Sequence, residues 1–334
     1  MPRLAFPAPP SAELHIHLEG TIEPEHIVEM ARRNGITLPT EDLDALRARY
    51  AFTDLASFLE LHYSNLTVLK TERDFFELAT GYLDRAKAAN VRRAELFFDP
   101  QTHLGNGVPL ETVMAGITRA LGTSEQTHGI STALIMCFLR DLGPQAADEM
   151  LTTILPYREH ILGVGLDSNE VGWGPELFVQ VYARAAAEGL RLVAHAGEEG
   201  GPETVAATVE LLKVERVDHG IRAMEDPEVV AMLRERRIPV TVCPLSNVAL
   251  RAVDTMADHP LPAMLRAGLV VTISSDDPPY FGGYVDENYR ALVEDLGMDD
   301  AQLEQLALNS FDAAFITEEE RERWQAEVRA HYRR

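Results

Sequence analysis

Short apolar runs recur along the chain at 12–18, 91–98, 131–139, 161–166, 191–196, 216–219, 239–242 and 269–273. Each stops at polar or turn-forming residues, so the eight read as candidate strands. Helix-like stretches fill the gaps between the later ones, at 176–189, 201–213, 227–237 and 261–268. Gly189 and Gly268 fall where such a stretch ends and the next apolar run begins, the place of a helix C-cap. Strands alternating with helices predict parallel β-α units, and eight of them predict a closed (β/α)8 TIM barrel. The competing arrangement is an open doubly wound sheet. No G-x-G-x-x-G fingerprint follows the first strand, which weakens that alternative.

The first crossover is unusually long. Between Gly20 and Asn90 the pattern predicts several helices, at 24–34, 55–69 and 73–89. An insertion after the first strand leaves from the C-terminal face of a barrel, where such segments form lids. The chain therefore reads as one barrel domain, 1–334, with a helical lid insertion at 20–90. There is no internal repeat. From Asp299 onward the pattern is helical and highly charged, an outer helix and a solvated end.

Composition narrows the class. The chain has 334 residues, with 53 acidic against 30 basic side chains and a formal net charge of -23. That balance argues against a nucleic-acid partner, which needs clustered Lys and Arg to displace counterions. Cys137 and Cys243 are the two cysteines, both in apolar runs, which excludes a disulfide scaffold and suits a reducing cytoplasm. The opening ten residues hold four prolines and no unbroken apolar stretch, unlike a signal peptide. No run approaches the roughly 20 apolar residues of a membrane helix. A cytoplasmic enzyme with a small-molecule substrate is the expectation, with no membrane or nucleic-acid partner.

Ionisable residues gather where the apolar runs end. The first ends His15-Ile16-His17-Leu18-Glu19-Gly20, the fifth His195-Ala196-Gly197-Glu198, the sixth Asp218-His219-Gly220, and the eighth runs into Ser274-Ser275-Asp276-Asp277-Pro278. In a barrel these ends converge on one face. His15 and His17 are two apart, so on a strand both point the same way and reach one metal. His15, His17, His195 and Asp276 are the expected ligands. Three imidazoles and one carboxylate suit one borderline divalent ion, above all Zn2+. Such an ion lowers the pKa of a bound water to about 7.

Glu198, in the turn after the fifth strand, is the candidate general acid/base. His219 could be a further nitrogen ligand but fits better as the group that orients and polarises the water. Asp277 is free to bind substrate. The fourth strand ends Gly165-Leu166-Asp167-Ser168-Asn169-Glu170 without the bridging lysine of two-metal barrel hydrolases. The H-x-E…P-C-x-x-C pattern of cytidine-type deaminases is also missing.

At these residues the chain resembles the adenosine/adenine deaminase family of the amidohydrolase superfamily. HIHLEG at 15–20, HAGE at 195–198, DHG at 218–220 and SSDDP at 274–278 follow the family's order. The resemblance implies a zinc-bearing barrel that replaces a purine 6-amino group with oxygen. It also implies that Glu198 protonates N1, His219 positions the water and Asp277 holds N7. Phe97-Phe98-Asp99-Pro100-Gln101-Thr102-His103, Gly165-Leu166-Asp167-Ser168, Cys243-Pro244-Leu245-Ser246-Asn247 and the run from Asp276 to Tyr284 resemble the adenine-type branch. Glu19 stands where adenosine-type members carry Asp near the ribose, and its longer side chain would fill sugar space. Ser168 replaces a glycine whose backbone approaches the purine.

The expected reaction is hydrolytic deamination of adenine to hypoxanthine and ammonia, as in purine salvage. N6-substituted adenines, adenosine or a modified nucleoside remain alternatives within the class. Mononuclear amide or ester hydrolysis, or purine binding without catalysis, are alternatives outside it. His26, His62, His103, His128, His160, His259 and His331 read as ordinary residues, with His103 the nearest to the active face. Oligomeric state is not legible.

Overall fold

The computed structural model of the chain describes residues 8–333. The proline-rich opening lies outside the described residues as far as Pro7. Eight strands, β1 (Ser11–His17), β2 (Val91–Phe98), β3 (Ser131–Leu139), β4 (Ile161–Asp167), β5 (Arg191–Ala196), β6 (Arg216–His219), β7 (Val240–Val242) and β8 (Val271–Ile273), pair in sequence order. Every pairing is parallel. Just past β8 the ring closes on β1: His17 N–H donates to the Asp276 carbonyl and Asp276 N–H to the His15 carbonyl, both at 3.1 Å. Closure excludes the open sheet and makes the fold a (β/α)8 barrel. β2, β3, β5 and β6 have the bounds that the apolar pattern predicts, and the other four differ at their ends by one or two residues.

Side chains alternate across each strand, and the alternation builds two cores. Phe97, Ile135, Cys137 and Val193 fill the barrel's interior. Met136 and Phe138, their neighbours on β3, point outwards into the larger core under the helices. The lower end of the barrel is polar. There the Glu95 carboxylate accepts from Arg216 Nη1 at 2.7 Å, from Arg93 Nη2 at 3.2 Å and from the Phe315 backbone N–H at 2.7 Å. Arg216 and Glu95 are fully buried, so the pair is desolvated and each charge depends on the other.

The long first crossover forms α1 (Pro24–Asn34), α2 (Leu43–Arg47), α3 (Leu55–Leu66) and α4 (Glu72–Ala88). Gly35 ends α1 in the left-handed conformation (φ 67°), which costs a glycine little. α4 is the helix that returns the chain to β2, and Tyr82 on it donates to Glu13 Oε2 on β1 at 2.7 Å. α3 reaches over the C-terminal mouth of the barrel. The insertion therefore divides into a returning crossover helix and a covering one.

The tail is more than a solvated end. Leu303, Leu306, Ala307 and Phe311 of the helix Asp300–Ala313 are buried, and Ser310 Oγ accepts from Ala12 N–H of β1 at 2.8 Å. In the last helix, Glu318–Tyr332, Trp324 and Val328 pack with Phe311, Ala12 and Leu14. Two apolar positions four residues apart make a narrow stripe that a highly charged sequence conceals. Among the described residues no helix is long and apolar enough to cross a membrane.

Candidate active site

The ends of β1, β5, β6 and β8 bring His15, His17, His195, His219 and Asp276 together, all buried. His219 (φ 62°) and Asp276 (φ 66°) hold the left-handed backbone conformation that non-glycine residues rarely adopt, as does Ser168 (φ 68°) at the end of β4. Strained backbone at three strand ends around one cavity is the usual mark of a site where geometry matters more than local stability.

Around Asp276 the side chains form a tight ring. Asp276 Oδ1 lies 3.2 Å from His15 Nε2 and 3.4 Å from His17 Nε2, and His17 Nε2 lies 3.2 Å from His195 Nε2. Ser246 Oγ donates to the other oxygen, Oδ2, at 2.6 Å. Thr241 Oγ1 donates to Asp218 Oδ1 at 2.9 Å, so it must accept from His15 Nδ1, 2.9 Å away. The His15 proton therefore sits on Nδ1, and Nε2 turns a bare lone pair inwards with no hydrogen-bond partner. Two imidazole nitrogens on one carboxylate oxygen, a third imidazole nitrogen against one of them, and an unpaired lone pair at His15 Nε2 make a donor set that could hold a cation. His15, His195, His219 and Asp276 each offer a ligand atom within 4.8 Å of one another, and His17 does so with Asp276 and Asp277.

Electrostatics agree with this grouping. Burial pushes His17 down to about 4 and His219 to about 3, and takes His195 well below its ordinary value. Burial alone would raise Asp276, but the imidazoles of His15, His219 and His17 hold it well below the usual carboxylate range. His15 moves the other way: burial lowers it, but Asp276 together with Asp218 and the contact with Thr241 outweigh burial and raise it.

Glu198 stands on the wall of this ring, its Oε2 at 3.4 Å from His219 Nε2. Burial, then the nearby Asp276 charge, push its carboxyl well above the ordinary value, which favours the protonated acid. The turn carrying Glu198 is built around Glu170, a buried residue that sequence reasoning missed. Its carboxylate accepts from four consecutive backbone N–H groups: Gly197 (2.8 Å), Glu198 (3.2 Å), Glu199 (3.0 Å) and Gly200 (2.9 Å). Asp277 is also buried, its pKa raised by burial and by Asp276. It occupies space that any side chain at position 20 would claim, since a Cβ on Gly20 would lie 1.7 Å from Asp277 Oδ1.

A cavity with about 440 Å³ of empty space opens onto these groups. His17, His195, Glu198, His219, Asp276 and Asp277 line it on the barrel side. Leu55, Phe58, Leu59, His62 and Tyr63 of α3 cover it, and Asp99, Asp167 and Ser168 complete the wall. His15 lies beneath, outside the lining. Glu19 does not line the cavity: its Oε1 accepts from Asp99 N–H at 3.0 Å and meets His103 Nε2 at 2.8 Å. His103 is thus a buried partner of Glu19 rather than an ordinary loop residue. Ser246, Asn247 and Glu170 fall inside segments already singled out for their likeness to the adenine-type branch or as the end of the fourth strand. Asp218 falls inside the DHG segment singled out at the sixth strand end, but Thr241 carried no comparable signal, because its use depends on β6 and β7 being neighbours.

Comparison with known proteins agrees with this geometry. The family model described as adenosine deaminase matches residues 10–331. An adenine deaminase of Streptomyces coelicolor is 56% identical over 324 residues, covering 96% of this chain and 95% of that protein. The crystal structure of an adenine deaminase from Arthrobacter aurescens superposes with a TM-score of 0.97 at 51% identity, covering 98% of this chain and all of that one. An amidohydrolase of Burkhoderia ambifaria with bound Zn superposes with a TM-score of 0.89 at 30% identity, covering 97% and 90% of the two chains. By sequence, fold and the arrangement of strand-end side chains, this chain belongs to the adenosine deaminase family.

Proposed function

We propose that the chain converts adenine and water to hypoxanthine and ammonia. The observation that carries the reading is the convergence of His15, His17, His195 and Asp276 with Glu198, His219 and Asp277 around one covered cavity. The adenine deaminases at 51–56% identity over nearly the whole chain support the same reaction.

His15, His17, His195 and Asp276 would hold one divalent ion, for which zinc fits the donor set. When bound, such an ion supplies Lewis acidity that makes a water molecule nucleophilic at neutral pH. The chain's own side chains do the rest. Asp277 accepts or donates at the N7 edge of the base and fixes its plane. Glu198, a buried acid, delivers its proton to N1 as the water oxygen bonds to C6. His219 orients that oxygen. The carboxylate of Glu198 takes one proton of that water and passes it to the 6-amino group; as the C6–N6 bond breaks and ammonia leaves, it takes the remaining hydroxyl proton and is again the acid.

α3 keeps bulk water out and limits the space beyond the base, which favours a free base over a nucleoside. Ser168, held by Tyr63 Oη at 3.2 Å, stands on the wall of that space. Glu19 acts from behind, by fixing Asp99. The two buried free cysteines suit a reducing, cytoplasmic setting.

The test is a side-by-side assay of adenine, adenosine and N6-methyladenine with zinc. Ammonia release fastest from adenine is expected. A preference for adenosine or the N6-methyl base would overturn the substrate, and activity on amides or esters without any purine turnover would overturn the reaction class.

A further inference from the structure

Behind His219, on the side away from the cavity, stand two buried side chains that the reaction above does not use, Asn247 and His259. They form a line of hydrogen bonds that starts at a group with no freedom of choice. The backbone N–H of Leu261 can only donate, and it donates to His259 Nδ1 at 3.1 Å. Nδ1 of His259 is therefore unprotonated and its ring proton is on Nε2. That N–H faces Asn247 Oδ1 at 3.2 Å, which fixes the amide with its oxygen towards His259. The amide nitrogen then faces His219 Nδ1, also at 3.2 Å, and donates to it. An imidazole nitrogen that accepts carries no proton, so the single ring proton of His219 is on Nε2. Nε2 is the atom that looks into the site, 3.4 Å from Glu198 Oε2 and 4.0 Å from Asp276 Oδ2.

We propose that Asn247 and His259 are positioning residues that lock His219 in its Nε2–H tautomer, so that it meets the attacking oxygen as a hydrogen-bond donor. In this tautomer Nε2 has no lone pair, which leaves His219 out of the metal's ligand set despite its place in the ring. Nor can it take up a proton at Nε2. The opposite arrangement would need the Asn247 amide turned over and the His259 proton moved to Nδ1, where it would face the Leu261 N–H, donor against donor in a dry interior. His219 thus steers the oxygen and Glu198 alone moves protons. The same locking keeps the two groups from competing, because a donor at His219 Nε2 faces an acceptor at Glu198 Oε2 once the acid has given up its proton. The mechanistic consequence rests on the adenine-deamination reading, while the tautomer itself rests on the hydrogen bonds alone.

The test uses the zinc-containing enzyme labelled with 15N in its histidines. Two-bond 1H–15N correlation spectra separate protonated from bare ring nitrogens, and His219 is assigned by the signals lost in His219→Asn. Wild type is expected to show a bare Nδ1 and a protonated Nε2. Asn247→Asp keeps the shape but turns the donor into an acceptor, so His219 Nδ1 should become protonated. Its kcat for adenine should fall about 10–100-fold while KM stays within about twofold. His259→Gln, whose amide can still donate to Asn247 Oδ1, should keep the wild-type tautomer and most of kcat. A protonated Nδ1 in wild-type His219 overturns the proposal whatever the variants do. So does an Asn247→Asp enzyme with an unchanged tautomer and kcat. A wild type that shows the Nε2–H pattern but no adenine turnover would sink the functional reading and leave the relay standing.

Discussion

Glu170 shows how a single side chain outside the cavity can set the geometry inside it. One carboxylate satisfies four successive backbone N–H groups and so fixes the turn from which Glu198 projects. In Glu170→Gln one of the two acceptor oxygens becomes a donor facing donors. The expected result is a 10–100-fold loss in kcat/KM for adenine with zinc content unchanged, the scale usual for groups that orient a reacting residue. Steady-state kinetics beside metal analysis checks it, and a change under twofold would remove Glu170 from the mechanism. Replacing the acid itself goes further: Glu198→Gln is expected to lose two to four orders of magnitude in kcat, the usual range for a positioned proton donor. Near-normal turnover with zinc bound would refute its role. The place of Glu198 was legible, because HAGE follows a predicted strand end. That of Glu170 was not, since its partners lie 27–30 residues along the chain and only the β4–β5 pairing brings them together.

Among the elements, α4 depends on a buried carboxylate at its start. Asp74 Oδ2 accepts from the backbone N–H groups of Lys70 (3.0 Å) and Thr71 (2.7 Å), from Thr71 Oγ1 (2.8 Å) and from Asn34 Nδ2 (2.8 Å), while Oδ1 pairs with Arg33. The knot ties α1 to α4 across the insertion. Burial works against the charge, but Arg33 and these donors outweigh it and hold the pKa below the ordinary value. A depressed carboxylate contributes stability that is complete above its unfolded pKa of about 3.9 and lost as pH falls through the folded one. Asp74→Asn should therefore unfold at lower denaturant than wild type at pH 7, by about 1.5–3 kcal/mol. The gap should narrow as pH drops below about 4, which denaturant melts across pH would show. A gap independent of pH would mean that the charge is not what matters. The helix itself was predictable from its apolar spacing, with a start one residue late and an end one residue long. Its knot was not, because it joins two helices through groups that look like ordinary surface residues in the sequence.

For the molecule as a whole, a buried ion pair holds the bottom of the barrel. At the bottom, Glu95→Ala would strand the buried Arg216 without its carboxylate, and a loss of about 3–5 kcal/mol is expected in equilibrium unfolding. At the top, a cation held by residues from β1, β5 and the segment after β8 would tie three parts of the ring together. Removing it with a chelator should abolish activity and lower Tm, and added zinc should restore both. A Tm unmoved by chelation would mean that the ring of ligands holds itself.

Read from the chain alone, the alternation of apolar runs determined the eight strands and the barrel, because side-chain burial on both faces of a parallel strand leaves a continuous apolar signature. That His15, His17, His195, Glu198, His219, Asp276 and Asp277 would meet on one face was likewise legible, since the strands of this fold all end there. Tertiary structure alone decided which atoms carry protons and which groups hold the site in place. Thr241 and Asp218 orient His15, Asn247 and His259 orient His219, and Glu19 turns to Asp99 and His103 instead of the cavity. These are contacts between distant segments, set by closure of the ring and by the dry interior that makes each donor find an acceptor, and no local pattern in the sequence encodes them.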